Sequence, residues 1–114
     1  MENCLFCRIL RGEIPSAKVY EDEFTYAFRD INPMAAVHCL VIPKTHVDSL
    51  NRLDGLTDRQ LAACLHACRE VARLEGVDKS GYRVVSNCGD DACQSVHHLH
   101  FHVLGGQKMH EAMA

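Results

Sequence analysis

Four of the eight histidines stand together in Gln94-Ser95-Val96-His97-His98-Leu99-His100-Phe101-His102-Val103-Leu104. Read as a strand, this stretch alternates His98, His100 and His102 with Leu99, Phe101 and Val103. That period of two turns three imidazoles to one face and an apolar trio to the core. Same-face neighbours on a strand lie about 7 Å apart, so the row lines a groove long enough to grip one phosphate-sized group. Imidazole suits such work: its unperturbed pKa is about 6.5, so much of it is unprotonated at neutral pH. If a backbone carbonyl holds the Nδ1–H of His100, its Nε2 lone pair is aimed at phosphorus, and a covalent route divides one hard displacement into two. A protonated His102 and backbone amides would stabilise the equatorial oxygens without bound magnesium. An amine leaving group would draw its proton from a His or Ser relay. One histidine on a half-exposed strand needs no explanation; three in register point to chemistry on a small anion.

Further candidates lie earlier in the chain. Cys4 and Cys7 bring two thiolates close enough for one metal ion, but that is half a zinc site whose other ligands must come from elsewhere. A redox role would need a strand before them, which the sequence lacks, and buried free cysteines explain the pair equally well. His38 lies on the face of Leu40 and Ile42 in an apolar strand, as a satisfied core histidine or a support for the row. His46, just past that strand, is a reachable metal ligand. Asp30, in the turn Asp30-Ile31-Asn32-Pro33, closes the turn with its own side chain or binds a sugar.

The elements that must position these groups follow from periodicity. Leu5, Phe6, Ile9 and Leu10 predict a short helix as far as Gly12. Residues 18–21 and 25–29 predict a hairpin joined at Asp22-Glu23, and 37–43 a third strand. Thr57-Asp58-Arg59-Gln60 has the form of a capping box opening a long amphipathic helix. Its apolar stripe is Leu61, Cys64, Leu65, Cys68, Val71 and Ala72, with His66 on the outer side, and Gly76 stops it. Residues 82–87 predict a fourth strand before the histidine stretch. The expected fold is α+β: about five antiparallel strands with one long helix across one face and a short N-terminal helix. One domain over 1–114 is expected, with a flexible tail from about residue 107 to 114. A net charge of -3 with scattered Lys and Arg argues against duplex nucleic acid. The N-terminus has no long apolar run, which predicts neither a secretory signal nor a membrane span. Seven cysteines without a secretory signal imply a reducing compartment, the cytoplasm or also the nucleus.

His98-Leu99-His100-Phe101-His102-Val103-Leu104 matches the histidine triad pattern, and the chain resembles the Hint branch of that superfamily almost end to end. The shared points include Ile14-Pro15, Tyr20-Glu21-Asp22, Asp30-Ile31, His38, Leu40-Val41-Ile42-Pro43-Lys44, His46, Gln94-Ser95-Val96 and Val103-Leu104-Gly105-Gly106. The resemblance implies a homodimer, formed through the long helix and a neighbouring strand, that binds purine nucleotides. It implies hydrolysis of nucleoside phosphoramidates and aminoacyl adenylates to the nucleoside monophosphate. By the same resemblance His100 is the nucleophile, and His102 and Ser95 contact phosphate oxygens and the leaving group. Gln94 helps hold the phosphate, Asn87 lines the phosphate or sugar region, and Asp30 binds the ribose hydroxyls. Leu5, Phe6, Phe28, Ile31 and Leu40 form the purine pocket, with His38 in the network behind the triad. Some triad proteins hold a structural zinc on positions that fall here on Cys4, Cys7, His46 and His98, whereas others lack these cysteines; no catalytic metal is implied.

Three departures stand out. Cys93 replaces the glycine that the family commonly has before Gln-Ser. Glu111 stands where animal relatives carry a tryptophan that reaches across the dimer. His97 replaces an aromatic, and packing is its expected role. Other readings make His-x-His a catalytic metal site, the chain a nucleotide-binding regulatory or scaffold protein, or the substrate a dinucleoside polyphosphate or capped RNA.

Overall fold

The computed structural model describes residues 3–114. The elements are α1 (Leu5–Leu10), β1 (Lys18–Glu21), β2 (Thr25–Arg29), β3 (Val37–Pro43), α2 (Asp58–Leu74), β4 (Tyr82–Val85) and β5 (Phe101–Gly105), with 3-10 turns at Leu50–Gly55 and Asp90–Ala92. The strands form one antiparallel sheet in the order β1-β2-β3-β5-β4. The predicted hairpin, third strand and short helix are all present. The start of α2 is set by its cap: the Gln60 N–H donates to the Thr57 hydroxyl at 3.1 Å, and the Thr57 N–H to Gln60 Oε1 at 2.8 Å. Such a cap contributes about 1 kcal/mol. Among the described residues no helix is long and apolar enough to cross a membrane.

Strand parity divides the side chains between two faces. Ala27, Cys39, Val41, Phe101 and Val103 point one way and pack against Cys64, Ala67, Cys68, Val71 and Ala72 of α2. Phe28, Leu40 and Ile42 point the other way, where Phe6 of α1 covers them and meets Phe28 edge to face with ring centroids 5.6 Å apart. The helix face is closed by α2. The second face is only partly covered by α1, and it carries His38 and His102. In the β3–β5 register His102 stands opposite Leu40 and Leu104 opposite His38, so the two histidines are diagonal neighbours across the ladder.

The structure departs from expectation at four places. β5 begins at Phe101, so His98 and His100 precede the ladder. The missing pairing is replaced locally, because the Leu99 N–H donates to the Val47 carbonyl at 2.7 Å and the Ser86 hydroxyl to the His100 carbonyl at 2.9 Å. β4 correspondingly ends at Val85 instead of Asn87. Leu65, placed on the apolar stripe, is 56% exposed, and Ala67 takes the buried position instead. His97 is exposed rather than packed, since the turn before β5 breaks the alternation that would have put it against the core. From residue 107 the chain is coil, tied by the Ala36 N–H donating to Gln107 Oε1 and by Arg83 donating to the His110 carbonyl.

Candidate active site and metal centre

On the open face of the sheet lies a cavity of 310 Å³ between α1, the 30–32 turn and the turn before β5. Leu5, Phe6, Phe28 and Leu40 line its apolar part; Asp30, Ser95, His100 and His102 line the polar part. Ile31, 90% exposed, stands at its mouth. Ile9, Ile14, Pro15 and Val96 also line it, and the sequence reading did not assign them there. Periodicity could have flagged Ile9 on the inner side of α1, but nothing local marks the other three. Asn87 and Gln94 are not among the lining residues. Gln94 is buried, its amide donating to the carbonyls of Asp48 at 2.7 Å and Val96 at 3.1 Å and accepting from the Gly89 N–H at 2.9 Å. With its hydrogen-bonding capacity spent on backbone, it shapes the loop that presents Ser95. A larger recess of 580 Å³ runs along β4 and the tail, but no triad histidine lines it.

Fixed partners assign the protons of the histidines. A backbone carbonyl only accepts, so the 2.7 Å contact from His100 Nδ1 to the His98 carbonyl places the hydrogen on Nδ1. The Nε2 of His100 is therefore a bare lone pair, on a ring that lines the cavity and packs edge to face on Phe6 at 5.1 Å. His38 Nδ1 accepts from the Met34 N–H at 3.0 Å, so its Nε2 carries the hydrogen. That Nε2–H lies 2.9 Å from His102 Nδ1 and 3.4 Å from Asp30 Oδ2. Accepting it at Nδ1 leaves His102 with its own hydrogen on Nε2, on a ring that lines the cavity. Burial holds His102 down to about 4 and puts His100 and His38 below the usual histidine range, with Asp30 opposing. In the ligand-free protein both cavity imidazoles are thus neutral at pH 7, one an acceptor and the other a donor. The charge expected from a protonated His102 is not stored in advance; the phosphate's own negative charge would have to raise it.

The second cluster has the opposite arrangement. His98 Nε2 donates to the Pro43 carbonyl at 2.9 Å, and His46 Nε2 to Asp48 Oδ1 at 3.2 Å. Both Nδ1 atoms are left bare, and they face each other 3.1 Å apart. Cys4 Sγ and Cys7 Sγ each lie 3.5 Å from His98 Nδ1, and Cys7 Sγ lies 3.3 Å from His46 Nδ1. Bond lengths of 2.0–2.1 Å to nitrogen and 2.3 Å to sulfur give a tetrahedral zinc set edges of about 3.3 Å between nitrogens and about 3.6 Å between sulfur and nitrogen. The donor set and its spacings fit that group, and the outward N–H bonds are the support that metal-bound histidines require. Asp48 was not anticipated, as a carboxylate two residues past a loop histidine carries no pattern of its own. Cys93, just before Gln94, adopts φ 60°, ψ 40°, the left-handed conformation that glycine takes without strain. The other cysteines are structural where buried: Cys39, Cys64 and Cys68 lie in the core, and burial pushes their thiols up to about 12.

Comparison with known proteins agrees with this geometry. The chain is 48% identical over 108 residues to a 14 kDa zinc-binding protein of Zea mays, covering 92% of this chain and 83% of that one. It is 35% identical over 113 residues to the purine nucleoside phosphoramidase of Escherichia coli strain K12, covering 99% and 95%. A HIT family hydrolase from Clostridium thermocellum superposes with a TM-score of 0.93 at 41% identity, covering 100% of this chain and 99% of the other. Residues 11–109, which hold the cavity face of the sheet, His46 and all three histidines of the row, match the HIT domain, and the chain belongs to that family.

Proposed function

We propose that the chain is a Hint-type hydrolase that cleaves purine nucleoside 5′-phosphoramidates and aminoacyl adenylates to the nucleoside monophosphate through a nucleotidyl-His100 intermediate. The observation that carries this reading is the Nδ1–H of His100 locked on the His98 carbonyl at 2.7 Å, which leaves Nε2 free as nucleophile. The phosphoramidase name of the Escherichia coli relative supports the substrate class. The base would lie among Leu5, Phe6, Phe28, Ile31 and Leu40, the ribose hydroxyls on Asp30, and the phosphate between Ser95, His100 and His102. Gln94 would act by holding the Ser95 loop, and Asn87 would border the sugar or phosphate from outside the cavity. His38 would keep His102 in its donor tautomer.

The reaction balances in two steps. His100 Nε2 attacks the α-phosphorus as the P–N bond to the amine, or the P–O bond to the acyl group, breaks. His102, protonated once the bound phosphate has raised it, would hand the amine its proton and return to the neutral form, with the Ser95 hydroxyl as a relay. Water then attacks phosphorus and gives a proton back to His102, the P–Nε2 bond breaks and the monophosphate leaves, returning His100 to its starting tautomer and His102 to its protonated form. Cys4, Cys7, His46 and His98 would hold a structural zinc, supplying a crosslink between α1, the loop after β3 and the turn that carries His100. A homodimer completes the reading: Leu65 of α2 and Tyr82 and Val84 of β4 are exposed apolar residues on the helix and edge strand expected to form it. Duplex nucleic acid and membranes are not partners in this reading, and a cytoplasmic setting would keep the thiols reduced.

The test is steady-state turnover of adenosine 5′-phosphoramidate by wild type and His100→Ala, with and without chelator under reducing conditions. Chelator-resistant turnover that falls by on the order of 10³-fold or more in the variant is expected. Turnover lost immediately on chelation of the reduced protein would move catalysis to the metal. Nucleotide binding without turnover, unchanged by His100→Ala, would leave a binding protein.

A further inference from the structure

Cys4 and Cys7 carry a chemistry that phosphoramidate cleavage does not use. Their sulfurs and the Nδ1 atoms of His46 and His98 all lie within 4.8 Å of one another. Cys4, half-buried, borders a recess of 470 Å³ shared with Asn3, Ser95 and His97, so a small solute in that recess stands beside it. The bare Nδ1 atoms of His46 and His98, 3.1 Å apart, need something positive between them. A metal ion supplies it, and so do the thiol hydrogens of the reduced, metal-free protein, whose sulfurs lie 3.3 Å from His46 Nδ1 and 3.5 Å from His98 Nδ1. A disulfide supplies neither. His98 also lends its carbonyl to the Nδ1–H of His100.

We infer that Cys4 and Cys7 form a peroxide-sensitive dithiol whose disulfide displaces the metal and releases His98, and with it the hydrogen bond that aims His100. The consequence for turnover rests on the hydrolase reading above; the chemistry of the pair does not. A thiolate of Cys4 attacks the terminal oxygen of a hydroperoxide, the O–O bond breaks and an alkoxide, or hydroxide from hydrogen peroxide, departs and takes up a proton from solvent, giving a sulfenic acid. The Cys7 sulfur attacks that sulfur, hydroxide departs and takes up a proton as water, and the S–S bond forms. Two thiols are oxidised and one peroxide is reduced. The sulfurs must close to about 2.05 Å, a separation incompatible with two independent ligand positions of one tetrahedral ion.

The experiment uses zinc-loaded wild type, treated with one equivalent of hydrogen peroxide at about pH 8. Metal release is followed with a chromogenic chelator, the N-terminal tryptic peptide ending at Arg8 is weighed, and the ¹⁵N signals of His100 are recorded. Expected are a peptide lighter by two hydrogens, one zinc released per disulfide, loss of the fixed Nδ1–H signal of His100 and at least a tenfold fall in turnover. Thiol reductant with zinc reverses all four changes. Reduced protein stripped of zinc keeps the His100 signal, which separates the disulfide from simple metal loss. Zinc retained with a reduced peptide, oxidation confined to the exposed Cys93, or a disulfide with an unchanged His100 signal overturns the inference. If the reduced, loaded protein shows no turnover at the outset, the hydrolase reading fails, while the peptide mass, metal release and His100 signal still decide the switch.

Discussion

Two histidine clusters lie side by side in this protein, and they differ in where their hydrogens point. Around His98 and His46 each imidazole gives its N–H outward, to the Pro43 carbonyl or to Asp48, so bare nitrogens converge. Around His102 the hydrogens run inward in a chain, from the Met34 amide to His38 and from His38 to His102, ending at the cavity. The same triplet of Asp30, His38 and His102 would pass a test of mere proximity for a metal site. It is a poor one, because the Met34 N–H occupies Nδ1 of His38 and forces a hydrogen onto the nitrogen that faces the others. Partner type, not residue type, separates ligand from proton donor.

The comparison breaks most visibly at His38. Replacing it with phenylalanine removes the donor that fixes the tautomer of His102, and kcat should fall by about 10²-fold with zinc affinity unchanged. Steady-state kinetics beside a zinc competition titration checks this, and equal kcat would remove the relay. The converse change is Asp48→Ala, which unfixes His46. Outer partners of metal-bound histidines are worth about 10- to 100-fold in affinity, and the exposure of Asp48 argues for the lower end. Zinc binding should weaken about tenfold while kcat holds; a kcat that falls in step with affinity would mean the clusters are not separate.

The smallest effect is on stability. His102 is held down to about 4 in the folded protein, against about 6.5 for an unperturbed histidine. Above the unfolded value the group is neutral in both states and its contribution is complete. As pH falls from there towards 4, the unfolded chain takes up a proton that the folded one refuses, so stability is lost. The limiting slope of 1.36 kcal/mol per unit is reduced by partial exposure, and about 1 kcal/mol per unit or less is expected. Urea midpoints at about pH 7 and about pH 5 should therefore separate more in wild type than in His102→Gln. Equal separations would show that burial does not depress this histidine.

Much of the scaffold was legible because its signals are local. The apolar alternation of 37–43, the turn residues at Asp22-Glu23 and the capping box at Thr57 each act within a few residues, and the structure places β3, the hairpin and α2 accordingly. Leu65 misled because helical spacing cannot say how wide a stripe the sheet covers, and Ala67 was overlooked for the same reason. His97 and the first half of the histidine stretch misled because alternation does not reveal where a ladder stops. There the His100 carbonyl accepts from the Ser86 hydroxyl, just past the end of β4, a partner that alternation does not show. Cys93 was noticed as a departure from a family glycine, and its positive φ supplies the reason that position disfavours side chains.

By itself, the sequence determined that His38 and His102 would stand on the same face of the sheet, since parity along a strand is a local property. It determined the candidate metal ligands only through likeness to other chains: no spacing joins Cys4 and Cys7 to His46 and His98. Tertiary structure alone decided that His98 turns its side chain into the cluster of Cys4, Cys7 and His46 while its carbonyl orients His100, and which nitrogen of each ring is bare. Those outcomes depend on backbone groups of Met34, Pro43 and His98. Every residue carries the same N–H and C=O, so their directions become specific only once the chain has folded.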